Sequence, residues 1–330
     1  MPKASHLRLM VGALLWLAAT PMAYPFDIEA HRGGRALLPE NTLPAFANAL
    51  SMGVNTLELD LGVTADGVII VSHERRLNPD LARGPDGAYV AAPGIPFIHL
   101  SLKDVKSYDV GQIRPGSAYA AQFPKQRPIP GTRIPTLSEV FALVRASGDE
   151  QVRLNIETKL DPTHPDEAPD PESFITRVLD LLDSEKFVAR VMIQSFDWRT
   201  LQIVQKRAPS VPTVYLSEQA FAPTVFLDKR SPWTAGFDPQ DHGGSVASAV
   251  KAAGGTIWSP FFGDIDVATV AEAHRLGLGV VVWTVNRRAD MARMIDLDVD
   301  GIISDRPDLL REVAAEKGIA PPRGASFVVK

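Results

Sequence analysis

Two carboxylates two residues apart, Glu58 and Asp60, are the first candidates for chemistry in this 330-residue chain. They fall in an apolar run, residues 56–61, that reads as a strand, so both side chains project from one face. On a solvent face Glu-x-Asp is harmless. Inside a closed sheet it is a desolvated pair that a cation or basic groups must neutralise. A third acid, Glu157, ends the strand-like run 153–157, and Lys159 follows two positions later. Three carboxylates suit one hard divalent cation, Ca²⁺ or Mg²⁺, with water completing its shell. Zinc fits less well, for there is no His-x-His pair. The chain has no cysteine, which excludes disulfides, thiolate metal sites and a thiol nucleophile.

A second cluster follows the run 27–31, which ends in His31-Arg32-Gly33-Gly34. Such a strand-end turn offers an imidazole, a guanidinium and free backbone amides to one point, a combination that invites phosphate. A plain surface turn could carry the same residues. His73 follows the run 68–72. If Val63 opposes Val68 across a four-residue turn containing Asp66-Gly67, Glu58 falls opposite His73, and His73, Glu58 and Asp60 converge. A one-residue slip would undo that pairing. His274 lies on an amphipathic helix and reads as surface, while His99, His164 and His242 lie in loops without ligand spacing.

The elements that must position these groups alternate. Strand runs are expected at 27–31, 56–61, 68–72, 153–157, 191–194, 213–216, 256–258, 279–283 and 301–304. Helical patterns occupy 42–52, 137–146, 171–184, 198–207, 245–253, 266–276 and 288–297, with Thr42 as an N-cap and Pro44 in the first turn. This is a parallel α/β pattern with nine runs for about eight barrel places. The short gap between 61 and 68 makes those two a hairpin, so one strand is extra. Glu40 and Asn41 read as residues that order the loop behind His31. Residues 75–135 hold 6 Gly and 9 Pro, too many for regular units. They read as an insertion over one end of the barrel, with a short helix near 102–110. A second irregular stretch spans 220–244.

Hydrophobic residues at 45% and charged residues at 22% describe a globular chain, and a net charge of −5 excludes a basic nucleic-acid footprint. Lys3 and Arg8 precede an apolar stretch, 9–19, that is too short to span a bilayer comfortably and is followed by Pro21. Residues 1–23 therefore read as a secretory signal peptide, with 24–330 as the mature barrel in the periplasm or outside the cell and no stable membrane insertion after cleavage.

The motifs are similar to those of the glycerophosphodiester phosphodiesterases. The resemblance is carried by His31-Arg32-Gly33-Gly34, Pro39-Glu40-Asn41-Thr42, Glu58-x-Asp60, Thr64-x-Asp66-Gly67 and His73. Glu157-x-Lys159, Gln194-Ser195-Phe196, Trp283-Thr284-Val285-Asn286 and Asp300 through Pro307 continue it in order. It implies a distorted (β/α)₈ TIM barrel and hydrolysis of a small glycerophosphodiester to glycerol 3-phosphate and an alcohol. It also implies Glu58, Asp60 and Glu157 as ligands of one divalent cation, His31 and His73 as the acid–base pair, and Arg32 and Lys159 on the phosphate. One departure is Glu74, where the family usually has Asp; on the hairpin expected here it points away from His73. Phe196 and Trp283, at late strand ends, form an apolar wall beside glycerol or pack the barrel core.

Chemistry of this kind needs the charge on the phosphodiester neutralised before a nucleophile can approach. The resemblance implies that the glycerol 2-hydroxyl attacks phosphorus while one histidine takes its proton and the other protonates the departing oxygen, His31 as base and His73 as acid or the reverse, and that water opens the resulting cyclic phosphate. Two other readings remain: head-group release from lysolipids, as by a lysophospholipase D, and a non-catalytic periplasmic binding protein for phosphate esters. The first calls for an exposed apolar loop, and residues 75–135 offer only the scattered Tyr89, Phe97, Tyr108, Tyr119 and Phe123. The second calls for the loss of a histidine or carboxylate, and all are present.

Overall fold

Short β-branched runs alternating with amphipathic helices close into an eight-stranded parallel barrel. The computed structural model describes residues 26–326. The strands are β1 (Asp27–Ala30), β2 (Thr56–Val63), β3 (Ile69–Val71), β4 (Arg153–Thr158), β5 (Val191–Ser195), β6 (Thr213–Ser217), β7 (Ile257–Pro260), β8 (Gly279–Val282) and β9 (Gly301–Ser304). Their order, β1-β2-β4-β5-β6-β7-β8-β9 and back to β1, closes the barrel; β3 pairs antiparallel with β2, its one partner among these strands, and is the extra strand.

Helices α1 (Leu43–Met52), α4 (Leu137–Ala146), α5 (Pro171–Ser184), α6 (Trp198–Arg207), α7 (Val246–Ala252), α8 (Val267–Arg275), α9 (Arg288–Asp296) and α10 (Pro307–Glu316) surround it; α2 (Leu102–Val105) and α3 (Ala118–Gln122) lie between β3 and α4. Side chains of Thr42, Thr136, Asp170, Asp197, Ser245 and Asp266 cap α1 and α4 through α8, satisfying amide groups that a helix start leaves unpaired. The short helix expected near 102–110 stops at Val105, and α10, begun by Pro307, was not among the expected helices.

β2 shows how the barrel holds polar groups. Its eight residues are all buried, and they alternate. Leu57, Leu59, Leu61 and Val63 belong to the main apolar core, whereas Glu58 and Asp60 turn the other way. The segment between β3 and α4 packs a small core of its own, Leu77, Phe97, Val105, Val110 and Ile134, against Ile70 of β3. No helix among the described residues is long and apolar enough to cross a membrane. The expected signal, 1–23, lies outside the described residues.

The hairpin register differs from expectation by one residue. Val63 faces Ile69, Leu61 faces Val71, and the amide of Ser72 donates to the Asp60 carbonyl at 2.9 Å. The turn is the cause. Thr64, not Val63, pairs with Val68 through a backbone bond at 3.0 Å, leaving three residues in the loop instead of four, with Gly67 in the left-handed region at φ +80°. Glu58 is therefore not opposite His73.

Candidate active site

The candidate residues collect where the parallel strands end, the rim at which barrel enzymes place their chemistry. Register sets the carboxylates side by side: Asp60 on β2 faces Glu157 on β4. Oxygens of Glu58, Asp60 and Glu157 lie within 4.8 Å of one another, and all three residues are buried. Each is held in place. Glu58 accepts from the Arg32 amide at 2.8 Å and from Gln194 Nε2 at 2.7 Å. Asp60 accepts from Asn41 Nδ2 at 2.8 Å, and Glu157 from Lys159 Nζ at 2.7 Å.

A cation fits this set. Asp60 Oδ1 is buried without a hydrogen-bond partner among the described residues, and the donors are all hard carboxylate oxygens. Burial pushes the Glu58 carboxyl well above its ordinary range, and the charges of Asp60 and Glu157 push it further. Burial also raises Glu157 to about 7 against the opposing pull of Lys159. Asp60 goes the other way: burial resists its ionisation, but His73 when protonated, Arg32 and Lys159 hold it far below the usual carboxylate range.

His31 begins a single 3₁₀ turn directly after β1. The turn is tight because Arg32 adopts φ +51° and Gly33 φ +81°; a Cβ on Gly33 would sit 2.8 Å from that of Ala45. Nδ1 of His31 meets Asp305 Oδ1 at 2.5 Å, and Nε2 lies 3.9 Å from Glu58 Oε2. Asp305 also accepts from Arg35 Nε at 2.7 Å and Asn286 Nδ2 at 2.7 Å. Burial, with Arg35 and Arg32 nearby, lowers His31 to about 4 although Asp305 favours its charged form. His73 is likewise lowered to about 4, by burial and then by Arg32 and Lys159.

His73 reaches the site although the register slipped. β3 ends at Val71, so His73 is free of strand alternation and lines the same cavity as Glu58 and Glu157. Glu74 does not point away, as expected, but meets His73 Nδ1 at 3.0 Å. A longer acid reaches back to its neighbour from the bend. That hydrogen bond is the leading cause holding Glu74 down at about 2.

A cavity of about 150 Å³ opens among these groups, lined by His31, Arg32, Glu58, His73, Glu157, Lys159, Phe196 and Trp283, with Asp60 behind them. Phe196 and Trp283 meet edge to face, ring centres 5.3 Å apart, and form one wall. The Arg32 guanidinium is tied back to Glu40 at 2.8 Å, and Glu40 also accepts from Tyr119. Glu40 and Asn41 thus order the loop and hold Arg32 and Asp60 in place. Sequence reasoning assigned no role to Asp305, Arg35, Asn286 or Tyr119. The signal for Asp305 was its place just past β9: Ala30 pairs with Ser304, so barrel closure sets His31 beside Asp305.

Comparison with known proteins agrees with this geometry. Residues 31–309 match the model of the glycerophosphoryl diester phosphodiesterase family. The chain is similar to the glycerophosphodiester phosphodiesterase of Caldanaerobacter subterraneus subsp. tengcongensis, 29% identical over 293 residues that cover 88% of this chain and 98% of that one. A Silicibacter pomeroyi protein described as a glycerophosphoryl diester phosphodiesterase superposes with a TM-score of 0.80 at 33% identity, covering 90% of this chain and 95% of that one. An Oleispira antarctica phosphodiesterase, solved in complex with the product sn-glycerol-3-phosphate, shares the fold at a TM-score of 0.64 and 19% identity over 88% of this chain and 98% of its own. With the family model spanning all nine candidate residues, from His31 to Trp283, the chain belongs to the glycerophosphoryl diester phosphodiesterase family.

Proposed function

We propose that this protein hydrolyses glycerophosphodiesters to sn-glycerol 3-phosphate and an alcohol, using one divalent cation, Ca²⁺ or Mg²⁺, held by Glu58, Asp60 and Glu157. The observation that carries this reading is the convergence of three buried carboxylates and two imidazoles, each imidazole backed by its own acid, around one cavity. When bound, the cation supplies positive charge against the non-bridging phosphate oxygens. Arg32 and Lys159 line the same cavity and add to that charge.

An ionised carboxylate can only accept, so Asp305 fixes the proton of neutral His31 on Nδ1 and leaves Nε2 as the base. Nε2 takes the proton of the glycerol 2-hydroxyl as its oxygen forms a bond to phosphorus. The bond from phosphorus to the head-group oxygen breaks, and His73 gives that oxygen a proton. His73 is left the acid role: its side chain is 29% exposed against 11% for His31, so it can reload from water, and the Glu74 carboxylate opposes, without cancelling, the burial that lowers it to about 4. In the second step His73 takes a proton from water as the water oxygen bonds to phosphorus, the bond from phosphorus to the glycerol 2-oxygen breaks, and His31 returns its proton to that oxygen, giving glycerol 3-phosphate and restoring both histidines. Phe196 and Trp283 shield the glycerol carbons.

A second reading, head-group release from lysophospholipids, is favoured by one feature outside residues 75–135. Phe221 is 80% exposed and touches Phe261, which touches Trp283, so aromatic rings run from the cavity wall to the surface. The test is turnover of glycerophosphocholine against lysophosphatidylcholine, with chelator and after Ca²⁺ or Mg²⁺ is restored. Cation-dependent release of choline from the first alone supports the leading reading, and preference for the lysolipid replaces it. We also propose export to the periplasm or medium on the N-terminal segment. A shortened N-terminus on the mature protein supports this, and an intact Met1 in the cell fraction opposes it.

A further inference from the structure

Through the middle of the barrel runs a column of buried polar side chains that the mechanism above leaves unused. Glu29 on β1, Asn155 on β4 and Gln194 on β5 are 0, 0 and 2% exposed. The amide nitrogen of Asn155 donates to Glu29 Oε2 at 2.9 Å and to Gln194 Oε1 at 3.0 Å. Gln194 Nε2 then donates to Glu58 Oε1 at 2.7 Å. At the opposite end Asp27 lies against Glu29 and accepts from Thr56 Oγ1 at 2.8 Å and Arg153 Nη2 at 2.5 Å. The column therefore joins the N-terminal end of the barrel to a carboxylate of the cation site.

Barrel interiors are ordinarily filled by branched aliphatic side chains, and buried polar groups of this kind can be exchanged for apolar ones at little cost in stability. What apolar residues could not do is orient an amide. Gln194 can present either its NH₂ or its carbonyl to Glu58, and only the NH₂ is compatible with a carboxylate. The choice is made one step back, because the Gln194 carbonyl is taken by the Asn155 NH₂. The Asn155 amide is oriented in turn by Glu29, which accepts its other proton.

We propose that Glu29 is a positioning residue for the cation site: acting through Asn155, it decides which end of the Gln194 amide meets Glu58. With Glu29 unable to accept, both amides are free to turn, and a turned Gln194 sets its carbonyl oxygen against the Glu58 carboxylate. Burial is the leading cause that raises the Glu29 carboxyl well above its ordinary range. Its Oε1 accepts no hydrogen bond from the described residues, so a neutral acid can hold its proton there and keep Oε2 as the acceptor for Asn155. A glutamine at this position would match that neutral acid in shape and in both hydrogen-bonding roles.

The proposal rests on the cation reading above, and the experiment separates the two. Ca²⁺ and Mg²⁺ are titrated calorimetrically into the substrate-free full chain and its variants, with thermal midpoints recorded in chelator. Glu29→Gln should keep the affinity within about threefold, whereas Glu29→Leu should weaken it by about 10–100-fold, the usual effect of removing an outer-shell partner. Asn155→Ser, too short to bridge Glu29 and Gln194, makes the same break without an apolar replacement and should show the same loss, whether or not Glu29→Leu folds. Unchanged affinity in either breaking variant, even with a lower midpoint, would mark the column as structural only and overturn the proposal. Equal loss in Glu29→Gln would overturn it too, since charge rather than hydrogen-bond direction would then be at work. No cation binding by the unsubstituted chain would overturn the cation reading itself, and this proposal with it.

Discussion

Asp305 and His31 are 274 positions apart in the chain and 2.5 Å apart in the fold. The contact exists because β9 pairs with β1, which brings the last strand's end beside the first. His31 is already made a poor proton holder by burial, and Asp305 settles which of its nitrogens is free. Asp305→Asn should therefore lower kcat by about 10²–10⁴, the scale of a positioned proton transfer, by allowing the wrong tautomer. Cation affinity and the thermal midpoint should change little. The check is steady-state kinetics beside a melt; near-normal kcat in the folded variant would remove Asp305 from the mechanism.

His31→Ala and His73→Ala should each cost about 10²–10⁴ in kcat. The double variant should lose far less than the product of the two, because both groups act in one transition state. Kinetics of the three proteins at saturating cation settle the point. A single variant that turns over at the native rate excludes that histidine.

Cation binding should weaken as the solution is made acidic. With Glu157 raised to about 7, the cation-free site holds a proton below that pH and releases it above. Glu58, also raised, adds to the effect. Apparent affinity should rise about tenfold per pH unit for each proton displaced, then level off once the carboxylates are free. Proton release, measured by titration calorimetry in buffers of different ionisation heat, gives the count. The same raised carboxyl contributes stability to the cation-free fold that is present at low pH and lost as pH rises through about 7, so the stabilisation given by added Ca²⁺ or Mg²⁺ should be larger at pH 8 than at pH 6. A pH-independent affinity would place the cation elsewhere.

A diester of 2-deoxyglycerol should be cut far more slowly than its parent, by several orders of magnitude, since it lacks the internal nucleophile. The comparison is made at equal cation saturation. Equal rates would mean that water attacks phosphorus directly, and the cyclic phosphate would be abandoned.

Much of this molecule was legible locally. Strand and helix periods, the capping residue Thr42, and the alternation that turns Glu58 and Asp60 to one face all depend on residues a few positions apart, where backbone geometry dictates the outcome. So did the extra strand, because the stretch between β2 and β3 is too short for a crossover. Other features depended on geometry that spacing does not contain. The hairpin register turned on whether Gly67 would take a left-handed conformation and close a three-residue loop. The orientation of Glu74 turned on where β3 stops. The acid behind His31 and the column from Glu29 to Glu58 are contacts between strands far apart in the chain, created only when the sheet closes. Which residues carry charge is a property of the chain; which charges meet, and how strongly burial shifts them, is set by the barrel's register, because two carboxylates affect each other only when folding removes the water between them.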